Sequence, residues 1–281
     1  MAGTSTRARG RVFFDGMLTR PRLDHPEGVA VHPDGSVWCG GEQGQIYRID
    51  PDGSRLEVVA TTDGFVLGLA FGHAGELYAC DVAYRAVFRI DTSTGAVSRF
   101  TDGGAARPFV TPNYPVVAAD GTVYVSDSFA QGERGPGVYR FDADGVGGLW
   151  CEGPFEFANG LALSPDGTAL LVAESFRPGI TQIPILADGS AGRPDDVVRL
   201  PGTVPDGLAF GPDGRLYVGC YEPSQVLRVD LTTREVTTVL ADPTAHMLCH
   251  PTNLAFRGDQ LFTSNLGRWH VTLVEGLDLG R

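Results

Sequence analysis

The chain has 281 residues, 42% of them hydrophobic, with a formal net charge of -12. That much apolar content excludes a disordered chain, and the acidic balance excludes a nucleic-acid or anionic-membrane surface as a binding partner. No run approaches 18 apolar residues and the first eleven lack an apolar signal core, so the expectation is a cytoplasmic protein acting on a small molecule, as a monomer or simple homo-oligomer.

Residues 1–11, MAGTSTRARGR, are basic and polar and read as a flexible end, leaving one domain over residues 12–281. Val12 to Phe14 form a short apolar strand. Glu27 then opens EGVAVHPDGSVWCGG: an apolar strand, a Pro-Asp-Gly reversal and a second apolar strand. Near-copies open at Leu67, Asn113, Asn159, Asp206 and Asn253, at separations of 40, 46, 46, 47 and 47 residues. That period is the length of a four-stranded blade, so six copies predict an all-β, six-bladed propeller of antiparallel blades.

Blade one runs from Glu27 to about Thr62, with strands near Val29 to Val31, Val37 to Cys39, Gln45 to Ile49 and Leu56 to Ala60. Blade two covers Leu67 to Phe100. Blade three, Asn113 to Trp150, carries a glycine-rich insertion at Ala130 to Gly137 that reads as a rim loop. Blade four spans Asn159 to Leu200 and blade five Asp206 to Leu240. Blade six begins at Asn253 and looks incomplete, ending in HVTLVEG, so the N-terminal strand is expected to close it and remove a free sheet edge. No segment reads as a helix of three turns. The cysteines, Cys39, Cys80, Cys151, Cys220 and Cys249, are odd in number and unpaired in spacing, which favours small buried residues over a disulfide framework or a zinc-thiolate site.

The first residues of the six copies are Glu27, Leu67, Asn113, Asn159, Asp206 and Asn253, five of them bearing side-chain oxygen. In a propeller these positions converge on one mouth of the central channel. Two readings follow. Oxygen-only donors suit a hard divalent ion; alternatively, the ring caps the channel by bonding to backbone and water.

The motifs PEGVAVHPDG, PFEFANGLALSPDG and PDGLAFGPDG resemble the senescence-marker, gluconolactonase and luciferin-regenerating-enzyme family of six-bladed propellers, over roughly Arg11 to Glu275. The resemblance implies one divalent metal held by Glu27, Asn113, Asn159 and Asp206, with calcium the first expectation and magnesium, manganese or zinc the alternatives. It also implies a hydrolase opening a lactone or related cyclic ester through a metal-activated water, with Asp206 as catalytic proton-transfer group as well as ligand. Two positions depart from the family: Tyr114 follows Asn113 where an aspartate is common, and Thr111 stands where animal members carry an arginine. Both bear on the substrate rather than on the metal.

The ends of the second strands give another registered set, Gly41, Asp81, Asp127, Glu174, Cys220 and Asn265. With the rim residues they supply the substrate-binding candidates Asp127, Glu174, Phe129, Arg177, Tyr221 and His250, set against turn-stabilising and packing roles. His246, Cys249 and His250 lie together just before Asn253, as a second metal site, substrate contacts or structural rim residues. No GxSxG elbow, phosphate-binding glycine loop or HExxH is present. Two alternatives to a lactonase therefore stand: a non-hydrolytic isomerase or cyclase on the same site, and a non-catalytic binding propeller.

Overall fold

The computed structural model describes residues 8–280. Twenty-four strands form six four-stranded antiparallel sheets. Within five of them the strands follow chain order. The sixth combines the last three strands with the first: Arg9–Asp15 pairs antiparallel with His270–Glu275. The closing strand is thus longer than Val12 to Phe14 and takes in residues 9–11; of the rest of the expected loose end, Ala8 precedes the strand and residues 1–7 lie outside the described residues. Among the described residues there is no helix, hence none long and apolar enough to cross a membrane.

Burial depends on a strand's place in its blade, and reversals join the strands. In the second strand of blade two, Leu77–Asp81, every residue is buried, because it lies inside the sheet and between neighbouring blades. The outer strand Val236–Ala241, by contrast, has no buried position. The Pro-Asp-Gly reversals place glycine at positive φ, 87° at Gly35 and 72° at Gly214, which a side chain would strain.

Cores form between blades rather than within them. Leu171, Ala173 and Ile180 of blade four meet Leu208, Val218 and Val229 of blade five. Likewise Phe262, Val271 and Leu273 of blade six meet Val29, Cys39 and Ile49 of blade one, closing the ring. Each such fully buried aliphatic side chain contributes about 1.5–3 kcal/mol. All five cysteines are free, and all but Cys249 are buried.

The inner strands are Val29–Val31, Val66–Phe71, Pro112–Val117, Ala158–Leu163, Val204–Phe210 and Pro251–Arg257, and each contacts the next around the axis, the sixth returning to the first. In five of them the register slips near the strand start: Val66/Leu69, Pro112/Pro115, Ala158/Leu161, Pro205/Leu208 and Pro251/Leu254 each enclose one residue too many. A bulge of this kind bends the strand and re-aims the side chains it encloses. The enclosed pairs are Leu67-Gly68, Asn113-Tyr114, Asn159-Gly160, Asp206-Gly207 and Thr252-Asn253. This corrects the sixth copy: Thr252 holds the position of Asn113 and Asp206, and Asn253 holds the following one, where three of the other four bulges have glycine.

Candidate metal centre at the channel mouth

Glu27, Asn113, Asn159 and Asp206 occupy equivalent positions at the starts of four inner strands, and all four are buried. After Glu27, Asn159 and Asp206 the next residue is glycine, and there the neighbouring strands close on it. A Cβ on Gly207 would lie 2.5 Å from the Thr252 carbonyl oxygen, and one on Gly28 would lie 2.6 Å from that of Leu67. The N-G, D-G and E-G doublets of the repeat therefore have a packing cause: the first residue presents oxygen to the mouth and the second keeps the mouth narrow.

Neither carboxylate makes a salt bridge among the described residues. Burial raises the Glu27 carboxyl to about 7. Burial also raises Asp206 well above the usual carboxylate range, helped by the charge of Glu27 and partly opposed by the Asn159 amide. Two acids held this way favour a cation between them or a shared proton.

Asn113 Oδ1, Asn159 Oδ1, Asp206 Oδ1 and Asn253 Oδ1 are all buried without a hydrogen-bond partner among the described residues. Every one is an acceptor, so what the mouth lacks is positive charge or donors. The amide nitrogens, in contrast, are satisfied: Asn113 donates to Ser128 Oγ (3.0 Å), Asn159 to Ser175 Oγ (3.1 Å) and Asn253 to the Glu27 carbonyl (3.0 Å). A donor set of two carboxylates and two amide oxygens fits a hard divalent cation.

The second registered set is hydrogen-bonded to the rim loops. Asp127 accepts hydrogen bonds from the backbone of Val110, Thr111 and Phe129, each at 2.8 Å. Glu174 accepts from the Glu156 amide, the Thr181 hydroxyl and Arg177. Asn265 Oδ1 accepts from the Cys249 amide, and Asp81 from the Thr62 hydroxyl and the Tyr84 amide. These side chains fasten the rim loops that precede or follow the inner strands. Arg177 also pairs with Asp196 at 2.8 Å, and with Glu174 it lines a cleft of about 680 Å³ beside blade four, away from the four ring residues. Phe129 lies across Gly135 of the blade-three insertion, and its carbonyl accepts from Thr111 Oγ1 (2.9 Å).

Tyr221 and His250 do meet. Their rings stack at 4.5 Å with 21° between planes, and His250 Nδ1 lies 3.1 Å from the Tyr221 carbonyl and 3.2 Å from Glu222 Oε1. Burial raises the Tyr221 phenol, and the charges of Glu27, Glu222 and Asp206 raise it further, which places it in the field of the mouth. Among the described residues, His246 and Cys249 join no cluster of three ligand-type side chains with His250.

Such a cluster exists elsewhere. Asp24, His25 and Glu42 bring their ligand atoms within 4.8 Å of one another, compatible with a divalent cation. His25 Nδ1 is 2.6 Å from Glu42 Oε2 and 3.2 Å from Asp24 Oδ1, and Trp269 packs on the imidazole at 4.5 Å. The sequence reading passed over this trio because Glu42 lies in the turn after the second strand. It also passed over Ser128 and Ser175, although D-S-F at Asp127 to Phe129 and E-S-F at Glu174 to Phe176 mark both in the two asparagine-bearing blades.

Fold and mouth define a class, the closed six-bladed propeller with acid and amide oxygens gathered on its axis. The chain belongs to the SMP-30/Gluconolactonase/LRE-like region family, which matches residues 66–264. A strictosidine synthase-like N-terminal pattern matches residues 17–49. Among curated relatives, Protein STRICTOSIDINE SYNTHASE-LIKE 6 of Arabidopsis thaliana is 28% identical over 70% of this chain and 56% of its own length. The adipocyte plasma membrane-associated protein of Salmo salar is 27% identical over 72% and 54%. The gluconolactonase of Zymomonas mobilis is 32% identical over 39% and 33%. The chain thus spans about half the length of the first two. A solved gluconolactonase of Xanthomonas campestris superposes with a TM-score of 0.79 at 22% identity, covering 98% of this chain and 93% of that one. A luciferin-regenerating enzyme gives 0.73 at 19%, covering 90% and 92%. These two likenesses establish the shared fold.

Proposed function

We propose that the protein is a divalent-cation-dependent hydrolase that opens a lactone or related cyclic ester at the channel mouth. The observation that carries this reading is the set of orphaned acceptor oxygens at Asn113, Asn159 and Asp206, in a ring whose two buried carboxylates, Glu27 and Asp206, have no salt-bridge partner among the described residues. Glu27, Asn113, Asn159 and Asp206 would hold the ion. Calcium is favoured, because carboxylate and amide oxygens suit a hard cation that accepts irregular coordination. Bound there, the cation would polarise an ester carbonyl and lower the pKa of a nearby water. Asp206 holds one carboxylate oxygen free of hydrogen bonds for proton transfer. Tyr221 and His250 form a flat wall beside the mouth against which a ring can rest. Thr111 bonds to the rim loop, and Tyr114 lies buried where three of the five bulges have glycine, so the acyl part of the substrate meets different groups than in sugar-lactone enzymes.

A second reading draws on the strictosidine synthase-like relatives: a non-hydrolytic reaction, an isomerisation or ring closure, on the same cation. The two separate by products. Metal content followed by a lactone panel, before and after chelation and replenishment, tests the first; a hydrolase yields one carboxylic acid per ester consumed. Asp206→Asn is expected to weaken the cation by roughly 100-fold or more, the ~3–5 kcal/mol cost of removing one partner of a buried charge pair, and to abolish turnover. Turnover that survives chelation contradicts the proposal.

A further inference from the structure

The two asparagines of the mouth rest on two serines. Ser128 Oγ lies 3.0 Å from Asn113 Nδ2 and 2.8 Å from the Ala158 carbonyl oxygen; Ser175 Oγ lies 3.1 Å from Asn159 Nδ2 and 2.7 Å from the Pro205 carbonyl oxygen. Both serines are buried, and their own amides are fixed by the Thr111 and Phe157 carbonyls. A hydroxyl has one proton. A backbone carbonyl can only accept, so that proton goes to Ala158 or Pro205, and the serine oxygen is left with lone pairs facing the asparagine. Only the NH2 edge of the amide can meet them. The amide is thereby locked with Oδ1 turned away from the serine, and that Oδ1 is the buried atom without a partner in both asparagines.

The second bond of each serine carries the constraint onward. Ala158 immediately precedes Asn159 and Pro205 immediately precedes Asp206, so one chain of hydrogen bonds runs from Asn113 through Ser128 to the Asn159 segment and through Ser175 to the Asp206 segment. It crosses blades three, four and five. At the corresponding register, the residue after Asp81, Cys220 and Asn265, blades two, five and six have Val82, Tyr221 and Leu266, and none of their ring residues is an asparagine. Serine occurs where an amide has to be oriented.

We infer that Ser128 and Ser175 are positioning residues that turn the amide oxygens of Asn113 and Asn159 toward a cation and fix their spacing to Asp206. The inference rests on the cation reading of the mouth. A ligand set oriented in advance binds its ion without first freeing and turning each amide, and loss of such a supporting group typically costs about 10–100-fold in affinity.

The test uses terbium(III) as a luminescent calcium substitute on the full-length chain, with the dissociation constant read by titration and the number of bound waters by emission lifetimes in H2O and D2O. Ser128→Ala and Ser175→Ala are each expected to weaken binding about 10–100-fold and to add a bound water, as the freed amide swings off the ion, whereas Ser175→Thr, which keeps the hydroxyl, stays within about 3-fold of the native protein. A variant that merely loosened packing would lower the melting temperature of the cation-free protein without changing the water count. Should an alanine variant fail to fold, Ser175→Cys keeps the size and removes the strong acceptor, with the same expectation. Alanine variants that match the native affinity and water count, or a threonine variant as weak as alanine, overturn the inference while leaving the cation reading intact. A native protein that takes up no terbium sinks both.

Discussion

At Gly207, an added Cβ would come within 2.6 Å of Asn253 Oδ1 and 2.5 Å of the Thr252 carbonyl oxygen, neither of which can retreat: the first is tied through its amide to Glu27, the second is backbone. Gly207→Ala should therefore destabilise the fold by about 1–3 kcal/mol, the usual cost of overpacking, and should weaken cation binding by pushing Asp206 out of line. Chemical denaturation and cation titration on the same variant check both effects; a stable Gly207→Ala protein with native affinity would show that the strands can part at the mouth. The doublets that place Asp206, Asn159 and Glu27 were legible as repeat starts. Their packing reason was not, since it depends on the neighbouring blade, 39 to 46 residues away in sequence. The serines escaped notice for a similar reason: their partners are one carbonyl in the next blade and one amide in their own, a relation no local pattern expresses.

Among the elements, the closing sheet joins the two ends of the chain, and its last strand carries a buried histidine. His270 Nε2 lies 2.9 Å from the Met247 carbonyl, to which it donates, while Nδ1 is buried without a partner among the described residues. Burial lowers the pKa of this imidazole below its ordinary 6.5. The unfolded chain then binds a proton that the folded protein refuses, so stability is lost as pH falls below about 6.5. His270→Gln retains a donor for Met247 and removes the titration. Urea unfolding at pH 7.5 and pH 5.5 should show a larger acid loss for the native chain than for the variant, and equal losses would assign the acid limb to other groups. The apolar strand at Val12 to Phe14 announced this closing sheet in sequence. The bulges did not announce themselves: an extra residue leaves the hydrophobic pattern on either side unchanged, which is why aligning apolar positions set Asn253 in the ring while the strand pairing sets Thr252 there.

Taken as one molecule, the propeller brings residues separated by 179 positions, Glu27 and Asp206, close enough that the charge of Glu27 raises the proton affinity of Asp206. Six copies of one strand-turn-strand unit were enough to foresee six blades, a single axis and a polar mouth. The rim was harder to foresee, because loops that follow no repeat decide it: Asp127 and Glu174 clamp loops, and Asp24, His25 and Glu42 gather from a lead-in segment and a turn. Two places on the molecule can therefore compete for a divalent ion, and the account commits to the mouth. Anomalous scattering from crystals grown with manganese(II) distinguishes them directly. The account predicts one strong peak on the axis, within coordinating distance of Glu27, Asn113, Asn159 and Asp206. A peak at Asp24, His25 and Glu42 with none on the axis, or no peak at all, would contradict it.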